Sequence, residues 1–261
     1  MAATNVYFDL TREFNARGPI AALASGQAVV FYRLAIMSKD GDFLLDETDS
    51  ACARVLDVLA SRKARYRPGA PLDIRWLPGG WSSHLEYFDD RGRRIRCDFF
   101  TRAPRVDPAA VRSLFAGLPD PLIVIGVEPL IHMKRTQRAK DHAVIGELAR
   151  LLPPEREIEL TTDPDRVVAL AKAHGARSAR PCVRAAVEGR GRDEVVVAMA
   201  REVDRFRRLD RERVQRYARA SDSYLREFGR LGLGDLSLPA AHGEVCGLAE
   251  RLLPTSVPGA S

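Results

Sequence analysis

Two aspartates stand two residues apart in "MSKDGDF", Met37 to Phe43, immediately ahead of the apolar run Phe43-Leu44-Leu45. On a strand, residues i and i+2 project from one face, so Asp40 and Asp42 set two carboxylates side by side. Two ionised carboxylates so close repel unless a cation lies between them. Mg²⁺ suits the gap, because it takes oxygen ligands, keeps several waters and is commonly shared with substrate phosphates. Taken alone, the pair also fits a solvated strand end. Two further stretches weigh against that. Upstream, Ser25-Gly26 is a small-residue turn opening a helix, where free backbone N–H groups can meet a phosphate. Downstream, Asp98 ends "RIRCD", where a sheet partner can bring a third carboxylate beside the first two. Three acids on adjacent strands, with a phosphate-cradling turn behind them, is the layout of a two-metal phosphoryl-transfer site.

The elements that must carry these residues follow from periodicity. Short apolar runs alternate with helical patterns through "PIAALASGQAVVFYRLAIM", "DFLLDE" and "DSACARVLDVLASRKARY". Then come "PLDIRWL", the hairpin "HLEYFDDRGRRIRCDFF" around Asp90-Arg91-Gly92, and the buried-looking "PLIVIGV". "LIHMKRTQRAKDHAVIGELARLL" is helical and ends at Pro153-Pro154. Beyond it the pattern predicts helices, with "REIEL" as the one strand candidate. Thr162-Asp163-Pro164 starts a helix that Gly175 stops. The segment from Arg192 to Gly232 can run as one long helix or two, and "AAHGEVCGLAERLL" forms the last. The reading is α+β: a mixed sheet flanked by helices over 1–153, then an all-helical region over 154–261.

At 261 residues, nearly half apolar, the chain can bury a substantial core. No apolar run is long enough to span a membrane, and "MAATNVYFDLTREFN" carries charges where a signal peptide needs its apolar segment, so a cytoplasmic protein is expected. Cys52, Cys97, Cys182 and Cys246 are widely separated with no CxxC pair. They read as buried or incidental thiols, not as a zinc knuckle or a disulfide framework. The net charge of +6 favours polyanionic partners. Almost all of the basic charge is arginine; the five lysines are Lys39, Lys63, Lys134, Lys140 and Lys172.

On these residues the chain resembles the nucleotidyltransferase superfamily with the DNA polymerase β-like fold. "ASGQAVVFYRLAIMSKDGDF" has the small-residue turn followed by Asp-x-Asp, and Asp98 matches the third acid on a later strand. More narrowly, "LIHMKRTQRAKDHAVIGEL" is similar to the end of the domain in minimal and abortive-infection-type toxin nucleotidyltransferases. There an apolar pair precedes a Lys, and a basic-Asp pair follows on the next helical stretch. The resemblance covers roughly residues 10 to 152 and not the C-terminal half. It implies that Ser25 and Gly26 hold the triphosphate of an NTP and that Asp40 and Asp42 ligate two Mg²⁺ ions. Asp98 then binds the catalytic metal and assists deprotonation of the attacking hydroxyl. Lys39, Lys134, Lys140 and Asp141 are expected at the nucleotide pocket. The product is a nucleoside monophosphate on a hydroxyl acceptor, with RNA or a tRNA end as one candidate acceptor and a cognate antitoxin as a candidate partner. Two positions depart from the family pattern. Ser25 stands where a first glycine is usual, which narrows the turn's dihedrals. Gly41 replaces an apolar residue between the acids, at a cost in strand preference.

Several residues keep two readings. His84 and Glu86 share one face of the first hairpin strand and either line the acceptor side of a cleft or face solvent. Trp81, after Gly79-Gly80, belongs to a loop or stacks on a base. The arginine-rich helix interleaves acids, as in Glu202 with Arg205 and Glu212 with Arg216, and reads as a solvated face laced with ion pairs. Its alternative is a tract along an RNA backbone, helped by Tyr217 and Tyr224. For the whole chain, the reading from a different class is a non-catalytic module of the same fold, binding nucleic acid or a partner protein through those helices.

Overall fold

The computed structural model describes residues 5–117 and 120–257. Helix α1 (Val6–Phe14) begins where Asn5 accepts the backbone N–H of Tyr7. Strand β1 (Ala21–Ala24) runs straight into the short helix α2 (Ser25–Phe31). Strand β2 (Asp40–Leu45) and helix α3 (Asp49–Ala60), capped by Thr48, come next. Strands β3 (Arg65–Arg67), β4 (Ser83–Phe88) and β5 (Arg94–Phe100) complete a five-stranded sheet in the order β1-β2-β5-β4-β3. β2 and β5 are parallel and every other neighbouring pair is antiparallel. The fold is α+β, with a mixed sheet flanked by helices and a helical C-terminal region.

β4 and β5 form the expected hairpin. Gly92 takes φ +70° at the turn, and the Asp89 carboxylate accepts the backbone N–H groups of Arg91 and Arg93. Alternation then sorts the strands into two faces. One is apolar: Phe43 stacks on Phe99 at 5.3 Å, and Phe14 of α1 meets both rings edge-on at 5.3 and 5.9 Å. Val55 and Leu59 of α3 join the same core. The other face carries the polar residues of β2 to β5.

After β5 come the helices α4 (Pro108–Ser113), α5 (Val127–Lys134), α6 (Ala139–Ala149), α7 (Pro154–Leu160), α8 (Pro164–His174), α9 (Pro181–Val187), α10 (Arg192–Phe228) and α11 (Leu238–Leu252). α8 starts on the Asp163 cap and ends at Gly175, as its sequence signals require. Among the described residues no helix is long and apolar enough to cross a membrane.

The chain divides into two compact units, one of residues up to Ile125 with those from Arg216 on, the other Gly126–Gln215. These divisions differ from the boundary expected at 153/154. The reason lies in the core: Tyr224 and Phe228 of α10, with Val245, Leu248 and Ala249 of α11, belong to the same apolar cluster as Phe43 and Phe99. Helical periodicity says that a face is buried without saying against what. The second unit has its own core around Ile158, Val167, Cys182, Val183, Val195 and Met199.

Several local expectations are corrected. "PLDIRWL" forms a turn that leads into a 3-10 helix at Leu77–Gly79, because the Asp73 carboxylate accepts the backbone N–H of Arg75 and curls the chain. "RY", the end of an apparent helical run, instead opens β3. "PLIVIGV" contributes only an isolated bridge, Leu23 to Val124. "REIEL" lies in helix α7, opened by Pro154 at its first position. Trp81 is buried and donates its indole N–H to Pro254 O at 2.8 Å, with Tyr217 packed edge-on at 5.0 Å, so it is not a stacking platform. Tyr217 and Tyr224 donate their hydroxyls to Gly79 O (3.0 Å) and Gly69 O (2.8 Å), anchoring α10 instead of offering rings to RNA. Glu202 pairs with Arg180 at 2.9 Å, not with the expected Arg205, and also accepts the backbone N–H of Cys182.

Candidate active site on the polar face of the sheet

β2 and β5 run parallel with Asp42 opposite Asp98 and Asp40 opposite Arg96. β4 then sets His84 opposite Asp98 and Glu86 opposite Arg96, while β3 sets Arg67 opposite His84 and Arg65 opposite Glu86. Because pairing and alternation keep side chains in register, the polar face carries two rows across four strands. One row is Asp42, Asp98, His84, Arg67; the other is Asp40, Arg96, Glu86, Arg65. Ala24, the last residue of β1, pairs with Asp42, so the Ser25-Gly26 turn begins at the end of the first row.

Ion pairs lace the face together. Asp98 Oδ1 accepts from Arg67 Nη1 at 3.0 Å and lies 2.8 Å from His84 Nδ1. Glu86 is shared by Arg94 (2.7 Å) and Arg67 (3.5 Å). Asp40 Oδ1 is 3.5 Å from Arg96 Nη1, is itself shielded from solvent, and has no hydrogen-bond partner among the described residues. The Asp98 side chain is 20% exposed and that of Asp40 40%, so the face is open to a ligand.

The turn and the strand entry are held by packing that the sequence departures reflect. Ser25 takes φ +47°, a left-handed conformation that costs a non-glycine residue and explains why a glycine would suit it. A Cβ on Gly26 would sit 2.3 Å from Ser38 Oγ, so the turn packs closely on the chain entering β2. Gln27 donates to Ser38 O at 2.9 Å and is itself held by Asn5 at 3.0 Å. A Cβ on Gly41 would lie 2.3 Å from the Tyr7 ring, and this is why no apolar side chain separates the two acids. Tyr7 donates its hydroxyl to Lys39 O at 2.7 Å; burial raises its phenol's pKa, which keeps it a neutral donor.

Asp40, Asp42, Asp98, Ser25, Gly26 and Lys39 thus lie on one sheet and its adjoining turn, with Lys39 exposed. Lys134, Lys140 and Asp141 belong to the second unit. There Lys134 Nζ lies 3.4 Å from Asp141 Oδ1, while Thr136 Oγ1 and Arg138 Nε donate to Oδ2 at 2.6 and 2.7 Å. Lys134 and Asp141 are buried, and Lys140 is exposed. Burial alone would raise the Asp141 pKa, but the Thr136 hydroxyl and the two cations outweigh it and hold the carboxyl below its ordinary range.

The sequence reading missed Arg67 and Arg96. Arg96 carried a signal, since the hairpin turn fixes Arg94, Arg96 and Asp98 on one face. Arg67 carried none, because a three-residue strand has no period to read.

No protein-family model matches the chain, and no curated protein matches it. Among solved structures it is similar to a candidate nucleotidyltransferase from H. pylori, with a TM-score of 0.41 and 14% identity over 79% of this chain and 94% of that one. It is also similar to the protein JHP933 from Helicobacter pylori, with a TM-score of 0.40 and 13% identity over 80% of this chain and 93% of that one.

Proposed function

We propose that this chain is a Mg²⁺-dependent nucleotidyltransferase that moves a nucleoside monophosphate from an NTP onto a hydroxyl acceptor. The observation that carries the reading is the parallel register of Asp42 with Asp98, with Asp40 on the same face and its Oδ1 buried without a hydrogen-bond partner. A donor set of carboxylate oxygens beside open solvent suits Mg²⁺. Asp40, Asp42 and Asp98 would hold the two ions, and Mg²⁺ bound there neutralises charge on phosphate oxygens. Arg67 donates to Asp98 Oδ1 and His84 Nδ1 lies 2.8 Å from the same oxygen, so Arg67 would orient the carboxylate and leave Oδ2 for the acceptor. In the reaction the acceptor oxygen bonds to the α-phosphorus as the bond to pyrophosphate breaks, and the hydroxyl proton passes to Asp98. The chain's work is positioning and electrostatics. Ser25 and Gly26 take the triphosphate. Lys39 enters as a pocket residue from the resemblance, whereas Lys134, Lys140 and Asp141, expected there too, lie in the second unit. RNA is the first acceptor class to test, given the net charge of +6, and a cognate antitoxin is the partner that the resemblance to abortive-infection toxins brings with it.

One observation favours a second reading. Asp98 and Asp40 already have basic neighbours on the sheet, as a purely structural lattice would require. The chain would then be a non-catalytic module of this fold. Incubating each α-labelled NTP with Mg²⁺, total RNA and total protein separates the two. Label lost in the Asp40→Ala/Asp42→Ala double variant supports the transferase. No label with any NTP, together with no thermal stabilisation by Mg²⁺ and NTP, overturns it in favour of the module.

A further inference from the structure

A second group of ligand-type side chains lies within the first unit, built from other elements than the polar sheet face. α11 carries His242 and Cys246 four residues apart, one helical turn along the same side. Asp73 joins them from the turn after β3. These residues offer one nitrogen, one sulfur and one oxygen, all within 4.8 Å of one another. Cys246 Sγ is 3.6 Å from His242 Nε2 and 3.8 Å from Asp73 Oδ2.

We propose that Asp73, His242 and Cys246 form a binding site for a zinc-class divalent transition metal, with a fourth position open to water. The spacing is the first argument. Tetrahedral Zn²⁺, with bonds of about 2.3 Å to sulfur and about 2.0–2.1 Å to nitrogen or oxygen, separates its ligand atoms by about 3.5 Å. The two separations from sulfur lie close to that value, and all three ligand atoms stand within 4.8 Å of one another. The surroundings are the second. Metal-bound histidines commonly engage the other ring nitrogen in a hydrogen bond that fixes the ring. His242 Nδ1 lies 2.7 Å from the Tyr66 hydroxyl, which directs Nε2 to the thiol, and the Tyr66 ring stacks at 6.0 Å. That hydroxyl is itself held by the backbone N–H of Leu72 at 3.1 Å. Asp73 is oriented likewise: Arg75 donates from its backbone N–H and Nε to Oδ1 at 2.8 and 3.0 Å, and from Nη2 to Oδ2 at 2.8 Å.

Charge and chemical type complete the case. A thiolate and a carboxylate neutralise a divalent ion, and Arg75 beside them is balanced by its contact with Glu250. Sulfur with imidazole selects zinc-class ions over Mg²⁺. The site therefore answers to a different cation from the carboxylates proposed as ligands on the sheet face. The Asp73 side chain is 17% exposed, which leaves an entry path. A metal there would clamp α11 to the turn after β3.

The 261-residue chain, stripped with a chelator, is titrated with Zn²⁺ alone and with Co²⁺ alone. The expected result is one bound equivalent, and a Co²⁺ adduct with a thiolate-to-cobalt charge-transfer band and intense tetrahedral visible bands. Both bands disappear in Cys246→Ser and His242→Gln and persist in Cys182→Ser. Asp73→Asn weakens binding at least about tenfold. Zn²⁺ raises the thermal midpoint of the wild type and not that of Cys246→Ser. Absence of stoichiometric metal overturns the proposal and leaves a metal-free polar network. So does Co²⁺ bound without a thiolate band, or a band that survives in Cys246→Ser. The wild-type spectrum reports the thiolate directly, so a variant that fails to fold does not decide the outcome.

Discussion

Asp98 and Asp141 are both ringed by donors, yet the two rings are built differently. Among the described residues the side-chain partners of Asp141 come from the preceding seven residues: Lys134 at 3.4 Å, Thr136 at 2.6 Å and Arg138 at 2.7 Å. Asp98 draws Arg67 from 31 residues away and His84 from the neighbouring strand. The local ring is enclosed, with the Asp141 side chain 4% exposed against 20% for Asp98. A charge that deep must be fully paired, which makes Asp141 an anchor of its own unit. The sheet carboxylate keeps a solvent-facing side. Exposure, more than the number of partners, separates a carboxylate that holds structure from one available for chemistry.

The comparison can be broken in graded steps. The largest effect is expected from Asp40→Ala/Asp42→Ala, which should lower nucleotide transfer about 10³-fold while leaving the urea midpoint nearly unchanged. Asp141→Ala should cost about 3–5 kcal/mol of stability in urea by stranding Lys134. The same substitution at the more exposed Asp98 should cost only about 1 kcal/mol. Equal costs at the two positions would sink the distinction. Titration sharpens it: the folded pKa of Asp141 is depressed, so its contribution is present above the unfolded value of about 3.9 and fades as pH falls through the folded one. Asp141→Asn should flatten that acid limb, read as urea stability against pH.

Smaller effects test the scaffold behind the sheet face. Gly41→Ala drives a Cβ to 2.3 Å from the Tyr7 ring and should cost about 1–3 kcal/mol by calorimetry or urea melts. The smallest expected change is a gain. Ser25→Gly relieves φ +47° and should stabilise by about 0.5–1 kcal/mol, net of the glycine's greater unfolded-state freedom. A loss of stability there would mean that the serine side chain makes a contribution the backbone strain does not reveal.

What the sequence determined by itself was whatever a few neighbouring residues decide among themselves. The turn at Asp90-Arg91-Gly92 fixes the hairpin register and so puts His84 opposite Asp98. Asp163 and Gly175 bound α8, and the long apolar period from Arg192 persists as one helix to Phe228. Asp-x-Asp on β2 follows from alternation alone. The tertiary structure decided the rest. β3 is too short for a period, so Arg67 gave no warning that it would reach Asp98. Gly41 makes sense only with Tyr7 lying over it. The apolar sides of α10 and α11 could have met any core until the Phe43–Phe99 cluster took them in. Cysteine spacing hid a site whose Asp73 and Cys246 are 173 residues apart. Periodicity and turn chemistry act over a handful of bonds and leave their mark in sequence, whereas contacts between distant segments depend on which surfaces bury each other, and only the folded chain settles that.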